Sequence, residues 1–285
     1  MEQKLVYAAP AEDVRDIVSA YYFADFPREA LPEGGIIAHE RAAIAQIRIV
    51  FSGSAIVMPP GGARIFVDGP VVVGPTTGQT SYEIVEGVRL VGAGLLPCGW
   101  HAMTRRSAAD YLNTTIAIDR HFHPMMHEAV AKLRGMTDFA DMIRLLDEGA
   151  RALNHYVDPD VRQFVHIVDN WLISSIAPEV CDLYEKFGLS RRHVERLVKH
   201  LYGVPPKMLA RKYRALRTAK LLHARNAPTE DYAHAFYDQS HMIREIKHFT
   251  GQTPREIRFD MTEFSRTLDA RSDLVGQIHP LTALI

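Results

Sequence analysis

Cysteine is scarce: the 285 residues hold two, Cys98 and Cys181, far apart and outside any CxxC pair. A disulfide framework and a zinc site on paired thiolates are excluded, and a reducing compartment is the simple inference. No stretch approaches the roughly 20 apolar residues that a membrane helix needs. The opening MEQKLVYAAPAEDVRD turns acidic and polar too early for a secretory leader. The expectation is a soluble, cytoplasmic chain with no membrane partner. Catalytic signatures are missing too: there is no GxSxG elbow, P-loop, dinucleotide fingerprint or HExxH. Acidic pairs occur, but nothing places two in one cleft. An enzyme is not expected, nor a cofactor, nor a metal.

Net charge is also small, 33 Lys and Arg against 34 Asp and Glu. Its distribution is uneven. Residues 1–177 hold 15 basic and 21 acidic side chains; residues 178–260 hold 16 and 10, with six histidines besides. An acidic part followed by a basic one fits an electrostatic footprint for a polyanion. Ordinary charge scatter is the alternative until a motif supports more.

From about residue 5 to 96 the text is rich in Gly, Pro, Val and Ile. β-type runs occupy 45–51, 55–58, 64–67, 71–74, 81–85 and 90–95. Turn residues separate them, such as Pro59-Pro60-Gly61-Gly62 and Asp68-Gly69-Pro70. Short strands at such spacing predict a barrel or sandwich. The GPTTG stretch at 74–78 reads as a turn rather than a phosphate cradle. After Trp100 the period becomes helical, at 108–112, 125–133 and 138–153. Met142, Leu145, Leu146, Gly149 and Leu153 make one apolar stripe. It either packs on the strands or pairs with a second subunit. A linker at 154–158 precedes Pro159 and a helix over 160–174. The fold class is thus α+β, with a β-rich barrel- or sandwich-like domain over 1–155. An all-α domain follows over 160–260, and 261–285 form a tail.

Within the helical part, Pro178 and Glu179 suit a helix start. That helix is expected over 179–187 and to end at Gly188 in a left-handed cap. Ser190 then caps a second helix, SRRHVERLVKH, with Val194, Leu197 and Val198 inward. Arg191, Arg192, Glu195, Arg196 and Lys199 face outward. A helix, a short Gly-containing turn and a basic second helix form a helix-turn-helix pattern. A second unit opens at Asp238-Gln239-Ser240-His241 and stops at Gly251, before Thr253-Pro254. Between the two lies a helix over 206–225, with Leu209, Tyr213, Leu216, Leu221 and Leu222 as expected buried positions. At 1.5 Å per residue such a rod is roughly 28 Å long. It suits two reading helices set near the roughly 34 Å repeat of the major groove.

The text GLSRRHVERLVKHLYGVPPKMLARKYRALRTAKLL, followed by YDQSHMIREIKHFTGQTPREIR, resembles the DNA-binding domain of the AraC/XylS family of transcription regulators. The resemblance covers residues 160–258. It implies seven helices, a central one joining two reading heads, and an N-terminal domain that senses a ligand or partner or mediates dimerisation. By position it places the base readers at Arg192, Glu195 and Arg196 in the first head. In the second they fall on Gln239, Ser240, His241 and Arg244. Arg can pair with guanine, Gln with adenine, and Glu with the cytosine amine. Arg191, Lys199, Lys207, Arg211 and Lys212 are cast as phosphate contacts or surface charge. The implied partner is double-stranded DNA, with RNA polymerase, a small-molecule effector and a second copy of the chain as further candidates. One departure stands out. The stretch 232–238 lacks the family's usual Gly-aromatic pair and is about two residues short, so the second head is expected to insert differently.

Other candidates are weaker. The run Leu96-Pro97-Cys98-Gly99-Trp100, with Asp119-Arg120 downstream, is similar to N-terminal domains of some AraC-type proteins. His121, His123 and His127 invite a metal reading, but Pro124 interrupts their spacing and a helix-start cluster is the plainer account. Arg105-Arg106 beside Ser107 could hold an anion at a helix start, although surface charge explains them as well. The competing reading of the whole chain is a ligand-binding or enzymatic β-domain carrying a helical protein-interaction module.

Overall fold

A computed structural model describes residues 3–118, 122, 124–224, 228–259 and 273–283. Among them, the strands are β1 (Lys4–Ala8), β2 (Val18–Phe26), β3 (Ile36–Glu40), β4 (Ala45–Gly53), β5 (Ala55–Met58), β6 (Ile65–Val67), β7 (Val71–Val73), β8 (Thr80–Ile84), β9 (Val88–Leu95) and β10 (Thr115–Ala117). They form two antiparallel sheets rather than a closed barrel. One has the order β1-β2-β9-β4-β7-β10 and the other β3-β8-β5-β6. The larger sheet is covered on both faces. Ala24, Phe26, Val50 and Val88 turn toward the smaller sheet and meet Val57, Val67, Tyr82 and Ile84. Tyr21, Phe23, Ile47, Ile49, Val72 and Val91 turn the other way and pack on helices. The result is three layers: small sheet, large sheet, helices.

This double burial explains why the periodicity misses β2. In β2, VSAYYFADF, seven of nine residues are buried, so no polar alternation marks it. The six expected strand runs all appear, shifted by a residue or two at their ends, whereas β1, β2, β3 and β10 carry no comparable signal.

The helices are α1 (Pro97–Thr104), α2 (Pro124–Arg134), α3 (Phe139–Asn154), α4 (Pro159–Ser174), α5 (Val180–Glu185), α6 (Arg191–Tyr202), α7 (Pro206–His223), α8 (Glu230–Ala233), α9 (Gln239–Thr250), α10 (Pro254–Phe259) and α11 (Pro280–Ala283). Asp138 caps α3, accepting from the Asp141 N–H at 3.0 Å. Of the α3 stripe, Met142 and Leu153 are buried, and Leu145 and Leu146 pack on the same core as the large sheet. Between them Asp147, also buried, accepts hydrogen bonds from the Tyr21 hydroxyl at 2.9 Å and the Ala11 N–H at 3.0 Å. The stripe therefore packs at home.

The large core continues without a break from the sheet through α1, α3 and α4 into α6 and the first half of α7. A second, smaller core gathers Ala219 and Leu222 of α7 with Tyr232, Ile246 and Ile257. Helix α7 thus spans both, packed against α5, α6, α9 and α10. Residues 159–259 hold seven α-helices among the described residues, the number implied by the family resemblance.

Candidate nucleic-acid interface

Each head is a short helix, a turn and a capped second helix. In the first head α5 ends at Glu185 with Lys186 as its right-handed cap, two residues before the expected end, and Gly188 is not left-handed. That corrects the cap assignment: the turn is wound tightly enough to need no positive φ there. Ser190 is the N-cap of α6, its hydroxyl accepting from the His193 N–H at 3.3 Å. Val194 and Val198 are fully enclosed, which pins the opposite face outward. Gly203, at φ 85°, closes α6 in the left-handed conformation that favours glycine.

On that outward face Arg191, Arg192, Glu195, Arg196 and Lys199 are all exposed. They are not equally unencumbered. The Arg191 guanidinium lies 5.5 Å from the Tyr184 ring centroid, and the Tyr184 hydroxyl donates to Glu195 Oε1 at 2.7 Å. Partial burial, then the neighbouring Glu195 carboxylate, push the Tyr184 phenol up to about 12. Arg196 makes a long 3.5 Å approach to His193 Nδ1. Lys207, at the start of α7, is exposed as well.

The second head repeats the plan. Asp238 caps α9, accepting from the His241 N–H at 2.6 Å, and Gly251 closes it at φ 80°. Gln239, Ser240, Arg244 and Lys247 are exposed. His241 is half-buried, its ring edge-on to Phe236 and its Nδ1 accepting the Tyr237 N–H at 3.3 Å. With Nδ1 accepting, the neutral ring carries its proton on Nε2. His241 therefore braces the turn as well as standing on the first turn of α9.

The missing glycine in that turn has a physical account. After the single turn of α8, Ala235 and Phe236 donate back to Tyr232 and Ala233, and no residue between them and Asp238 has positive φ. Without a left-handed residue, Ala235 serves where a glycine would otherwise be required. Phe236 is buried under the Arg214 guanidinium, 5.1 Å from its ring centroid.

Of the expected phosphate contacts, Arg211 is partly engaged by a carboxylate and Lys212 stands elsewhere. Arg211 is half-buried and bonds Glu245 through both Nε (3.0 Å) and Nη2 (2.6 Å), with Arg214 adding a third contact at 3.3 Å. Burial opposes ionisation of Glu245, but Arg211 and then Arg214 outweigh it and hold the carboxyl below its ordinary value. This pair clamps α9 onto α7. Lys212 is a correction: it is 4% exposed, and its ammonium donates to the backbone carbonyls of Ala43 (2.6 Å) and Thr76 (3.0 Å). It joins α7 to two loops of the β-sandwich and cannot reach a phosphate from there. The GPTTG turn holds one of those carbonyls.

Sequence reasoning passed over two groups on the second head. Tyr237, just before the cap, is 93% exposed, and Ile243 is 37% exposed among Gln239, Ser240 and Lys247 at helical spacing. A count of outward positions along α9 finds Ile243; Tyr237 carries no sequence signal of its own.

The lesser candidates resolve simply. Arg105 donates to the Tyr156 carbonyl at 2.6 Å and Arg106 to the Tyr111 hydroxyl at 2.8 Å, so both tie helices together. His121, His123 and the Asp119-Arg120 pair lie outside the described residues. His127 lies in α2, and the described residues hold no group of three metal-ligating side chains.

Residues 183–259 match a family described as a helix-turn-helix domain. The chain matches no curated protein sequence. Among solved structures it is similar to an apo alanine variant of ToxT from Vibrio cholerae, with 11% identity and a TM-score of 0.46 over 85% of this chain and 98% of that one. It is also similar to wild-type ToxT from Vibrio cholerae bound to an unsaturated fatty acid, with 11% identity and a TM-score of 0.44 over 90% of this chain and 94% of that one.

Proposed function

We propose that the protein is a transcription regulator of the AraC type, reading two adjacent major-groove segments of double-stranded DNA; the match of residues 183–259 to a helix-turn-helix family supports this. The observation that carries the reading is the repeated head: two capped twelve-residue helices, α6 and α9, with basic exposed faces, joined by the rod α7. At about 1.5 Å per residue the 18 residues of α7 span about 27 Å, the scale of one groove repeat.

In this reading Arg192, Glu195 and Arg196 contact bases in the first segment. Gln239, Ser240, His241 and Arg244 do so in the second. Arg191, Lys199, Lys207 and the remaining N–H groups of Arg211 contact phosphates. Residues 1–155 sense and residues 160–260 read, with a small molecule as the controlling input. RNA polymerase is the partner through which a bound regulator acts, and a homodimer would extend the DNA read. No described helix is long and apolar enough to cross a membrane; the cytoplasm, where the DNA is, is the compartment this reading requires. Catalysis plays no part in it.

The test is affinity against salt for the full chain on DNA selected from a random pool. A double-head contact with several phosphates predicts a steep linear fall of log affinity with log salt, by about 0.9 per phosphate neutralised. A flat dependence, or no enrichment of any sequence, overturns the proposal.

A further inference from the structure

Tyr184 stands on the supporting helix of the first head and touches two residues of the reading helix. Its own helix is firmly seated. Leu183 is fully buried, and Phe187, just past the end of α5, stacks on Phe164 of α4 with ring centroids 4.6 Å apart. The Tyr184 ring is half-buried against the large core, and its hydroxyl stays at the surface.

The two contacts divide the charge on α6. The ring takes the Arg191 guanidinium at 5.5 Å, and the hydroxyl donates to Glu195 Oε1 at 2.7 Å. Helical spacing predicts a different pairing. Arg191, Arg192 and Lys199 stand three or four positions from Glu195, where a carboxylate and a cation ordinarily meet. Among the described residues no ion pair joins Glu195 to any of them. Tyr184 stands in place of that pair. It holds the anion with a neutral donor and the cation with a neutral ring.

This arrangement selects among bases. A carboxylate is repelled by the acceptors that guanine (N7 and O6) and thymine (O4) present in the major groove. Folded back onto Arg191 or Lys199, Glu195 would have its charge cancelled and its lone pairs spent. Held by a phenol, it keeps its charge, and Oε2 has no partner among the described residues. The phenolic oxygen, whose proton goes to Glu195, adds its own lone pairs beside Oε1. Neighbouring acceptors suit the cytosine amine. Adenine offers an amine too, but sets the N7 acceptor beside it.

We infer that Tyr184 is a positioning residue: it presents the Glu195 carboxylate to a cytosine amine and seats Arg191 for a phosphate, so that the first head selects cytosine at one position of its segment. The base-selecting part rests on the DNA reading above; the contact between Tyr184 and Glu195 does not.

Two substitutions separate the two contacts. Tyr184→Phe keeps the ring and deletes the hydroxyl, whereas Tyr184→Leu deletes both. The full chain is assayed by competition on its selected DNA site and the single-base variants of that site, with thermal melts to show that each protein folds. Glu195→Ala marks the position that Glu195 reads, as the one where preference for cytosine is lost. Tyr184→Phe should cut that preference by about fivefold, the scale of one hydrogen bond. It should leave the salt slope as it was and do nothing more in the Glu195→Ala background. Tyr184→Leu should in addition weaken all sequences alike, because Arg191 loses its seat; equal behaviour of the two variants overturns the Arg191 part. A merely structural Tyr184 would weaken every sequence in both variants, and that result overturns the inference. An unchanged cytosine preference in Tyr184→Phe, a loss that persists without Glu195, or a Glu195→Ala protein with no altered position does the same. The contact is read without DNA by carbon-13 labelling of the glutamate carboxyls. The Glu195 resonance, identified by its absence from Glu195→Ala, should shift in Tyr184→Phe; an unmoved resonance overturns the contact. Failure of the wild type to enrich any DNA would sink the DNA reading and the base selection with it, while the resonance shift would stand.

Discussion

Lys212 provides a quantitative test of how the reading domain is held to the sandwich. Burial lowers its ammonium to about 7 from an ordinary 10.5, although Glu40 pulls the other way. The folded value lies below the unfolded one, so the unfolded chain binds this proton more tightly between those limits. Stability must therefore rise with pH through that window. The penalty is complete below about pH 7 and shrinks as the folded and unfolded forms both lose the proton. From pH 7 to 9 the gain is about 2 kcal/mol, at 1.36 kcal/mol per unit of differential titration. Lys212→Met keeps most of the stem and removes the charge. It strands the Ala43 and Thr76 carbonyls, at roughly 1–3 kcal/mol each. That loss does not depend on pH, so the variant's curve drops but flattens. Urea unfolding of the full chain at pH 7, 8 and 9 measures both slopes. Wild-type stability climbing while Lys212→Met stays level is the expected result. Parallel curves, or a wild type that weakens from pH 7 to 9, would refute the burial argument. The same variant should leave the salt slope of DNA binding unchanged, because an enclosed ammonium releases no counterion from DNA.

The other expectations concern single side chains. Arg196→Ala should cost about 1–3 kcal/mol on the selected site and relax base preference at one position, whereas Lys199→Ala should weaken all sequences alike and lower the salt slope by about one; identical behaviour of the two in a competition binding assay would remove the base-reader role. Ile243 on α9 suits a thymine methyl. Replacing thymines one at a time by deoxyuridine should cost wild type about threefold to fivefold at one position, the scale of one buried methyl group, and cost Ile243→Ala nothing more there. Asp169, enclosed between α4 and the Tyr202 hydroxyl at 2.6 Å, is raised by burial to about 7 despite that bond. Its folded value exceeds the unfolded one, so stability should fall as pH rises from about 4 to 7, by about 4 kcal/mol in all. Asp169→Asn should remove that fall in thermal melts, and an unaltered fall would show that other groups cause it.

The reading helices were legible because their signals are local. Ser190 caps the first and Asp238 opens the second, Gly251 closes the second, and Val194 and Val198 repeat at helical spacing. Each depends on residues within one or two turns of chain, so one sequence suffices to find them. Gly188 misled for the same reason: glycine permits a left-handed cap but does not compel one, and neighbouring turns decided otherwise. The cover of α3 could be narrowed only to two alternatives, since an apolar stripe does not say what lies upon it.

What remained was decided by contacts between distant parts of the chain. Strand β2 loses its alternation because both faces of its sheet are covered, a fact about layers rather than residues. Lys212 looks like any exposed helix cation until the Ala43 and Thr76 carbonyls, 169 and 136 positions away, enclose it. A cavity between the two sheets is likewise assembled from both ends of the chain, from Tyr22 on β2 to Gln252 beyond α9. Local order follows from dihedral preference and capping, which a sequence states outright. Burial and the site it creates follow from which surfaces meet, and that is fixed when the layers pack.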